Sequence, residues 1–254
     1  MADGEHHSAD QSSADKYYFL LRRLHSLTGL IPVGVFLVIH LATNAVVLVP
    51  GTGEMEYQKS VERIHALGPL LVPVEIVGIF LPLLFHSILG FQIIFTGRGN
   101  AQYYRYGPNI RYTLQRWTGV IAFVFIFYHV WQMHWLGQGL GGGSFRLHDE
   151  TGGPAAAITT AEALQSAWWV APVYAVGILA CVFHLANGVW TSLITWGITI
   201  RPRAQRTAAY VCAAFGVVLS VVGLGALSGF KTLNATEDSI GSSEHSATVS
   251  LSDR

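Results

Sequence analysis

RRLHSLTGLIPVGVFLVIHL, residues 22–41, decides the fold. Two arginines and a histidine lead into an apolar run that continues to about residue 49 and holds one ionisable side chain, His40. An α-helix needs roughly 20 such residues to cross the hydrocarbon core of a bilayer. Four more runs of that kind follow, at roughly 70–96, 117–136, 168–198 and 207–228. Pro32, Pro73, Pro82 and Pro172 interrupt them. Membrane helices tolerate such breaks when neighbours re-satisfy the backbone. The reading is an all-α membrane protein with five transmembrane helices, four of them forming a ligand-holding bundle. A polar cytoplasmic segment, 1–16, precedes the membrane domain, 17–230. A Ser/Thr-rich, disordered outer tail, 231–254, follows it.

Composition agrees. Of 254 residues, 51% are hydrophobic and 12% charged, with a mean hydropathy of +0.42. Soluble domains carry about 25% charged residues. The net charge of zero argues against a nucleic-acid partner, which needs a basic surface, and leaves the lipid bilayer as the main one. Cys181 and Cys212 are the two cysteines. That is too few for a disulfide framework, or for an iron–sulfur cluster with its roughly four thiolates. Glu5, Asp10 and Asp15 stand where a cleavable signal would be basic.

Loop charges set the orientation. Arg22 and Arg23 precede the first span. The second loop has Arg98, Arg105 and Arg111, with Arg116 at its end; the fourth has Arg201, Arg203 and Arg206; neither has an acid. The first and third loops are mixed. The positive-inside rule then places the N-terminus in the cytoplasm. The third loop, about 137–167, carries Gly137, Gly139, Gly141, Gly142 and Gly143 and reads as flexible.

Four spans hold one histidine each near mid-depth: His40, His86, His129 and His184. An ionisable residue in a span is costly and marks function by default. Depth sorts them into an outer pair, His40 with His129, and an inner pair, His86 with His184. Two pairs at two depths suit two bis-histidine b-type haems, with iron bound by neutral imidazole. Gly90 and Gly188 each lie four residues after an inner histidine, on the same helix face, where a flat macrocycle needs room; helix packing alone explains small residues equally. Arg22, Arg23, His25, Gln115 and Arg116 sit at the cytoplasmic mouth as partners for haem propionates, arginine being suited to bidentate pairing. Positive-inside charge alone also puts the arginines there, and His25 also reads as a solvated interfacial residue. Two other classes fit mid-membrane histidines. A proton-coupled transporter with a histidine relay usually shows internal repeats, and none is evident. A zinc centre draws carboxylates or cysteines around one point.

RRLHSLTGLIPVGVFLVIHL, FLPLLFH (80–86), LQRWTGVIAFVFIFYHVW (114–131), FHLANGVW (183–190) and TWGI (195–198) resemble, in order, the spans of the dihaem cytochrome b membrane-anchor subunit of succinate:quinone oxidoreductases. The likeness is to the five-helix, single-anchor class and covers about residues 17–228. It implies that His40 and His129 hold the distal, outer haem, and His86 and His184 the proximal one. It implies a bacterial cytoplasmic membrane, a flavoprotein and an iron–sulfur partner on the cytoplasmic side, and electron delivery to a quinone, menaquinone, near the outer face. A fumarate reductase running the reaction backward has the same anchor. The third loop and the tail depart from the family pattern. Quinone reduction also consumes protons, and Glu75, the one acid of the second span, lies eleven residues, roughly 16 Å, outward of His86. On a regular α-helix that spacing returns to nearly the same face. The alternative is a snorkelling interfacial glutamate.

Overall fold

The structure is a computed structural model that describes residues 17, 19–96, 107–143 and 145–233. The segment 1–16, the tail from 234, and Arg98 and Arg105 lie outside the described residues. Among the described residues there is no strand, only an isolated antiparallel bridge between His148 and Pro154.

Among the described residues eight helices follow in chain order. The first, α1, covers Phe19–Leu48 and includes a π-helical stretch, Gly29–Gly34, with Pro32 inside it. Next come α2, Gly53–His65, and α3, Gly68–Thr96, which has a π-helical stretch at Ile76–Phe80 just before Pro82. Then come α4, Gly107–Met133, the short α5, Trp135–Gln138, and α6, Ala156–Gln165. The last two are α7, Val170–Thr195, and α8, Pro202–Thr232. Proline lacks the N–H that an α turn uses and crowds the preceding turn. A widened π turn at or just before proline absorbs that conflict.

Among the described residues, α1, α3, α7 and α8 are long and apolar enough to cross a membrane. The fifth expected span falls in α4, which is 27 residues long but carries polar residues such as His129 and Gln132 near its end. Large apolar side chains stand bare along these helices: Leu81, Leu84, Ile88 and Phe95 on α3, and Val211, Val217, Val218 and Val221 on α8. Unbroken apolar surface of that extent is unfavourable in water and ordinary against lipid. The chain is an all-α membrane protein.

The chain divides into two compact units. One comprises residues up to His40, Gly68–Phe123 and Ala180–Leu219; the other comprises Leu41–Leu67, Val124–Leu179 and the chain from Ser220. The second unit holds a buried apolar cluster. It includes Tyr57, Ala156, Leu164, Val170, Tyr174 and Phe230.

That unit corrects the expectation of a flexible third loop. Gln58 is 2% exposed. Its amide nitrogen donates to Leu147 O and Glu62 Oε1, each at 2.9 Å, and its oxygen accepts the Ala156 N–H at 2.9 Å. Asp149 Oδ1 accepts from Thr151 N, Thr151 Oγ1 and Gly153 N. The loop glycines serve close approach: a Cβ at Gly137 or Gly142 would strike Trp131 O, and one at Gly143 would strike Gln132 O.

Candidate functional site

His25 and His86 form a reciprocal clasp in the first unit. His86 Nδ1 lies 2.8 Å from His25 O, and His25 Nδ1 lies 3.0 Å from His86 O. A carbonyl only accepts, so each Nδ1 carries a proton and each Nε2 keeps its lone pair. The rings stack with centroids 4.1 Å apart and planes 11° from parallel.

Gln115 and His184 repeat the arrangement. His184 Nδ1 donates to Gln115 O at 3.0 Å, and Gln115 Nε2 donates to His184 O at 3.1 Å. Gln115 Oε1 accepts from Asn187 Nδ2 at 2.8 Å, and Asn187 Oδ1 accepts from Arg111 Nε at 3.0 Å. The Arg111 guanidinium lies over the Trp190 ring at 3.8 Å.

Glycines let these helices approach. A Cβ on Gly29 would collide with the His86 ring, and one on Gly119 would stand 2.8 Å from His184 Cε1. Conversely, Gly90 faces His25 Cε1 at 3.3 Å and Gly188 faces Gln115 Nε2 at 3.6 Å. So Gly90 makes room for His25, Gly188 stands in ordinary contact with Gln115, and Gly29 and Gly119, absent from the expected site, abut the histidines. Thr28 Oγ1 reaches Leu24 O and His25 O at 2.9 and 3.1 Å. Thr118 Oγ1 reaches Leu114 O and Gln115 O at 2.7 and 3.3 Å.

These pairs correct the expectation of no internal repeat. Leu24-His25-Ser26-Leu27-Thr28-Gly29 matches Leu114-Gln115-Arg116-Trp117-Thr118-Gly119, and Phe85-His86-x-x-x-Gly90 matches Phe183-His184-x-x-x-Gly188. The signal is legible as Leu-x-x-x-Thr-Gly and Phe-His-x-x-x-Gly, but it is too short to register as a period. His40 follows Gly29 by eleven residues and His129 follows Gly119 by ten. The π turn at Gly29–Gly34 accommodates the extra residue.

His86 and His184 come together, their ring centroids 6.0 Å apart and planes at 89°. Two imidazoles bound through Nε2 on opposite sides of one metal, with bonds of about 2 Å, stand roughly 6 Å apart by centroid. A cavity of about 150 Å³ adjoins them, lined by His25, Gly90, Gln115 and Arg116 among others. Among the described residues no three His, Cys, Asp or Glu side chains converge, so the pair lacks the further protein ligands of a zinc centre. It suits a metal that brings its own equatorial donors.

The remaining expected residues are dispersed. Arg116 Nη2 donates to Ile94 O. Arg23 lies over Phe19 at 4.3 Å and Trp196 at 5.2 Å, and its buried Nε has no hydrogen-bond partner. Arg22 is exposed. His40 stacks on Phe36 at 5.4 Å in the first unit. His129 belongs to the second, where Nδ1 is 3.3 Å from the Tyr174 hydroxyl. Glu75 is half-buried. The π turn at Ile76–Phe80 lies between it and His86, so the eleven-residue spacing does not return to the same face as it would on a regular α-helix.

Long apolar helices and the facing imidazoles of His86 and His184, whose Nδ1 protons are already committed, define a multi-span helical membrane protein built around a histidine pair. No family model matches the chain. It is 38% identical over 212 residues to the succinate dehydrogenase cytochrome b558 subunit of Bacillus subtilis (strain 168), covering 84% of this chain and 96% of that protein. The chain belongs to the family of succinate dehydrogenase cytochrome b subunits.

Proposed function

We propose that the chain is the membrane anchor and electron conduit of a succinate:quinone oxidoreductase. It carries electrons from a cytoplasmic iron–sulfur subunit, itself fed by a flavoprotein, to a quinone, menaquinone, near the outer face. The observation that carries this reading is the inner pair: His86 and His184, each with Nδ1–H spent on a facing carbonyl and Nε2 left to ligate. When bound, two b haems supply one-electron carriers whose potentials follow axial ligation, hydrogen bonding and burial.

His86 and His184 hold the inner iron, and His40 and His129 the outer. Neutral imidazole suits a dry site, and the carbonyl bonds at His86 and His184 keep those two rings from swinging. Arg22, Arg23, His25, Gln115 and Arg116 supply partners for the propionates. The unpartnered Nε of Arg23 is the clearest of these, because a buried guanidinium nitrogen gains from a carboxylate. His25 has only Nε2 left for that purpose and pairs with a carboxylate only when Nε2 is protonated, and Gln115 has one amide hydrogen. Glu75 serves proton delivery to the quinone.

Three residue spans go with this reading: a polar cytoplasmic segment 1–16, the membrane domain 17–230 and an outer tail from 231, in a bacterial cytoplasmic membrane with the N-terminus inside. Dithionite-reduced minus oxidised spectra of membranes holding the chain should show b-type bands, with two haems per chain by pyridine haemochrome. An affinity tag on the chain should recover a flavoprotein with covalent flavin and an iron–sulfur protein. A colourless chain recovered alone from cells that co-express its neighbours would contradict the reading.

A further inference from the structure

The two clasps have different chemistry at one position. The first repeat has His25 and the second has Gln115, yet both donate a side-chain N–H to the carbonyl of the facing histidine at 3.0 and 3.1 Å. Both accept that histidine's Nδ1–H on their own carbonyl, at 2.8 and 3.0 Å. Both are followed by Thr-Gly, the threonine hydroxyl touching the same carbonyl and the glycine abutting the clasped ring.

We infer that His25 and Gln115 are equivalent positioning residues of an internally duplicated site, each locking the tautomer and swing of one inner histidine. The inference rests on the proposed ligation by His86 and His184. Each clasp performs two tasks. The carbonyl fixes the Nδ1–H tautomer, so Nε2 presents a lone pair. The side-chain N–H returns a bond to the histidine's own backbone and ties the two helices at that level. His25 in addition covers the ring, its imidazole lying parallel to that of His86, whereas the Gln115 amide packs over Gly188. Neither task requires a charge, which explains why an amide and an imidazole serve alike. Both have a planar N–H donor at similar reach.

The repeats are two helices long, so they run in the same direction through the membrane. A single two-helix unit, used twice, supplies the two facing imidazoles, His86 and His184, that would hold the inner iron. The site needs both copies.

The test is the rate at which inner haem is lost to excess apomyoglobin from the detergent-solubilised complex, followed by the inner-haem spectral component. Outer haem in the same sample reports on the fold. His25→Leu and Gln115→Leu remove the returned N–H bond, and each should speed inner-haem loss by about 10- to 100-fold, the usual effect of deleting a ligand's orienting partner. They should also change its low-spin electron paramagnetic resonance signature. The exchanges His25→Gln and Gln115→His should keep the loss rate within about threefold of the parent and restore the signature, following the same orienting logic. Leucine variants with the parental rate and signature would overturn the inference. So would exchange variants that lose inner haem as the leucine variants do, with or without the outer haem. If the leucine variants lose both haems, the exchange variants alone decide. Full haem retention in His86→Ala would instead overturn the ligation on which the inference rests.

Discussion

Tyr174 takes a hydrogen bond from His129 and hands one on to Gln132. The His129 Nδ1 to Tyr174 hydroxyl distance is 3.3 Å, and the hydroxyl donates to Gln132 Oε1 at 3.0 Å. Gln132 Nε2 then donates to Ala163 O at 2.9 Å. With its hydroxyl proton given to Gln132, Tyr174 can only accept from His129, so His129 carries its proton on Nδ1, as His86 and His184 do. Here a side chain on α7 does what a backbone carbonyl does at the inner pair.

Tyr174→Phe should therefore weaken the hold on the outer haem by about 10- to 100-fold and leave Gln132 Oε1 buried without a donor, which costs about 1–3 kcal/mol of stability. Redox titration and haem quantification would show the outer component altered and the inner one unchanged. An unaltered outer component would mean that His129 needs no such support.

Gly119→Ala places a methyl 2.8 Å from His184 Cε1, closer than side chains pack. The ring or its helix must shift, and overpacking of this kind costs about 1–3 kcal/mol. The expected result is selective loss or broadening of the inner-haem spectrum. Gly188→Ala, with its nearest atom at 3.6 Å, is the control and should be nearly silent. Equal effects of the two substitutions would mean that general helix packing is being measured.

The segment built on α2, α6 and the third loop should open in acid. Glu62 is held below the ordinary carboxylate range, first by the Gln58 amide and then by His148. Asp149 is held down by the Thr151 hydroxyl and then by backbone N–H groups of Gly153 and Thr151. A depressed carboxyl contributes stability that is present above its unfolded value and lost as pH falls through its folded one. Limited proteolysis within 142–155 should accelerate only below about pH 4, the ordinary carboxylate range. Gln58→Ala, which strips partners from Leu147 O and Ala156 N, should accelerate it at neutral pH. Cleavage independent of pH and of Gln58 would contradict the ordered loop.

Succinate-dependent menaquinone reduction in intact cells should slow when an uncoupler collapses the membrane potential. Electrons that enter on the inner side and leave near the outer side move with the potential, a gain of about 2.3 kcal/mol per charge per 100 mV. Glu75→Gln should lower quinone reduction with both haems retained. Full activity in that variant would make Glu75 an interfacial acid. A compensating proton pathway would abolish the uncoupler effect alone, so the two measurements are read together.

The spans and the inner pair are legible in the sequence because each rests on long-range, redundant signals. Runs of 20 apolar residues mark helices wherever they pack, and depth along α3 and α7 puts His86 with His184. The clasps are not legible in that way. Their acceptors are the carbonyls of His25 and Gln115, and any residue type offers a carbonyl. The π turns depend on how Pro32 and Pro82 are relieved locally, which undoes a strict 100° count between Glu75 and His86. The third loop misleads for a related reason: glycine serves freedom and tight contact alike, and at Gly142 and Gly143 it is contact with Trp131 and Gln132.

The central claim is that four histidines ligate two haems in an inner and an outer pair. Redox titration of His40→Ala, His86→Ala, His129→Ala and His184→Ala in the intact complex tests it most directly. The account predicts that His86→Ala and His184→Ala each lose one and the same spectral component, and that His40→Ala and His129→Ala each lose the other. Loss of the same component from His40→Ala and His86→Ala, or retention of both components in any of the four, would contradict it.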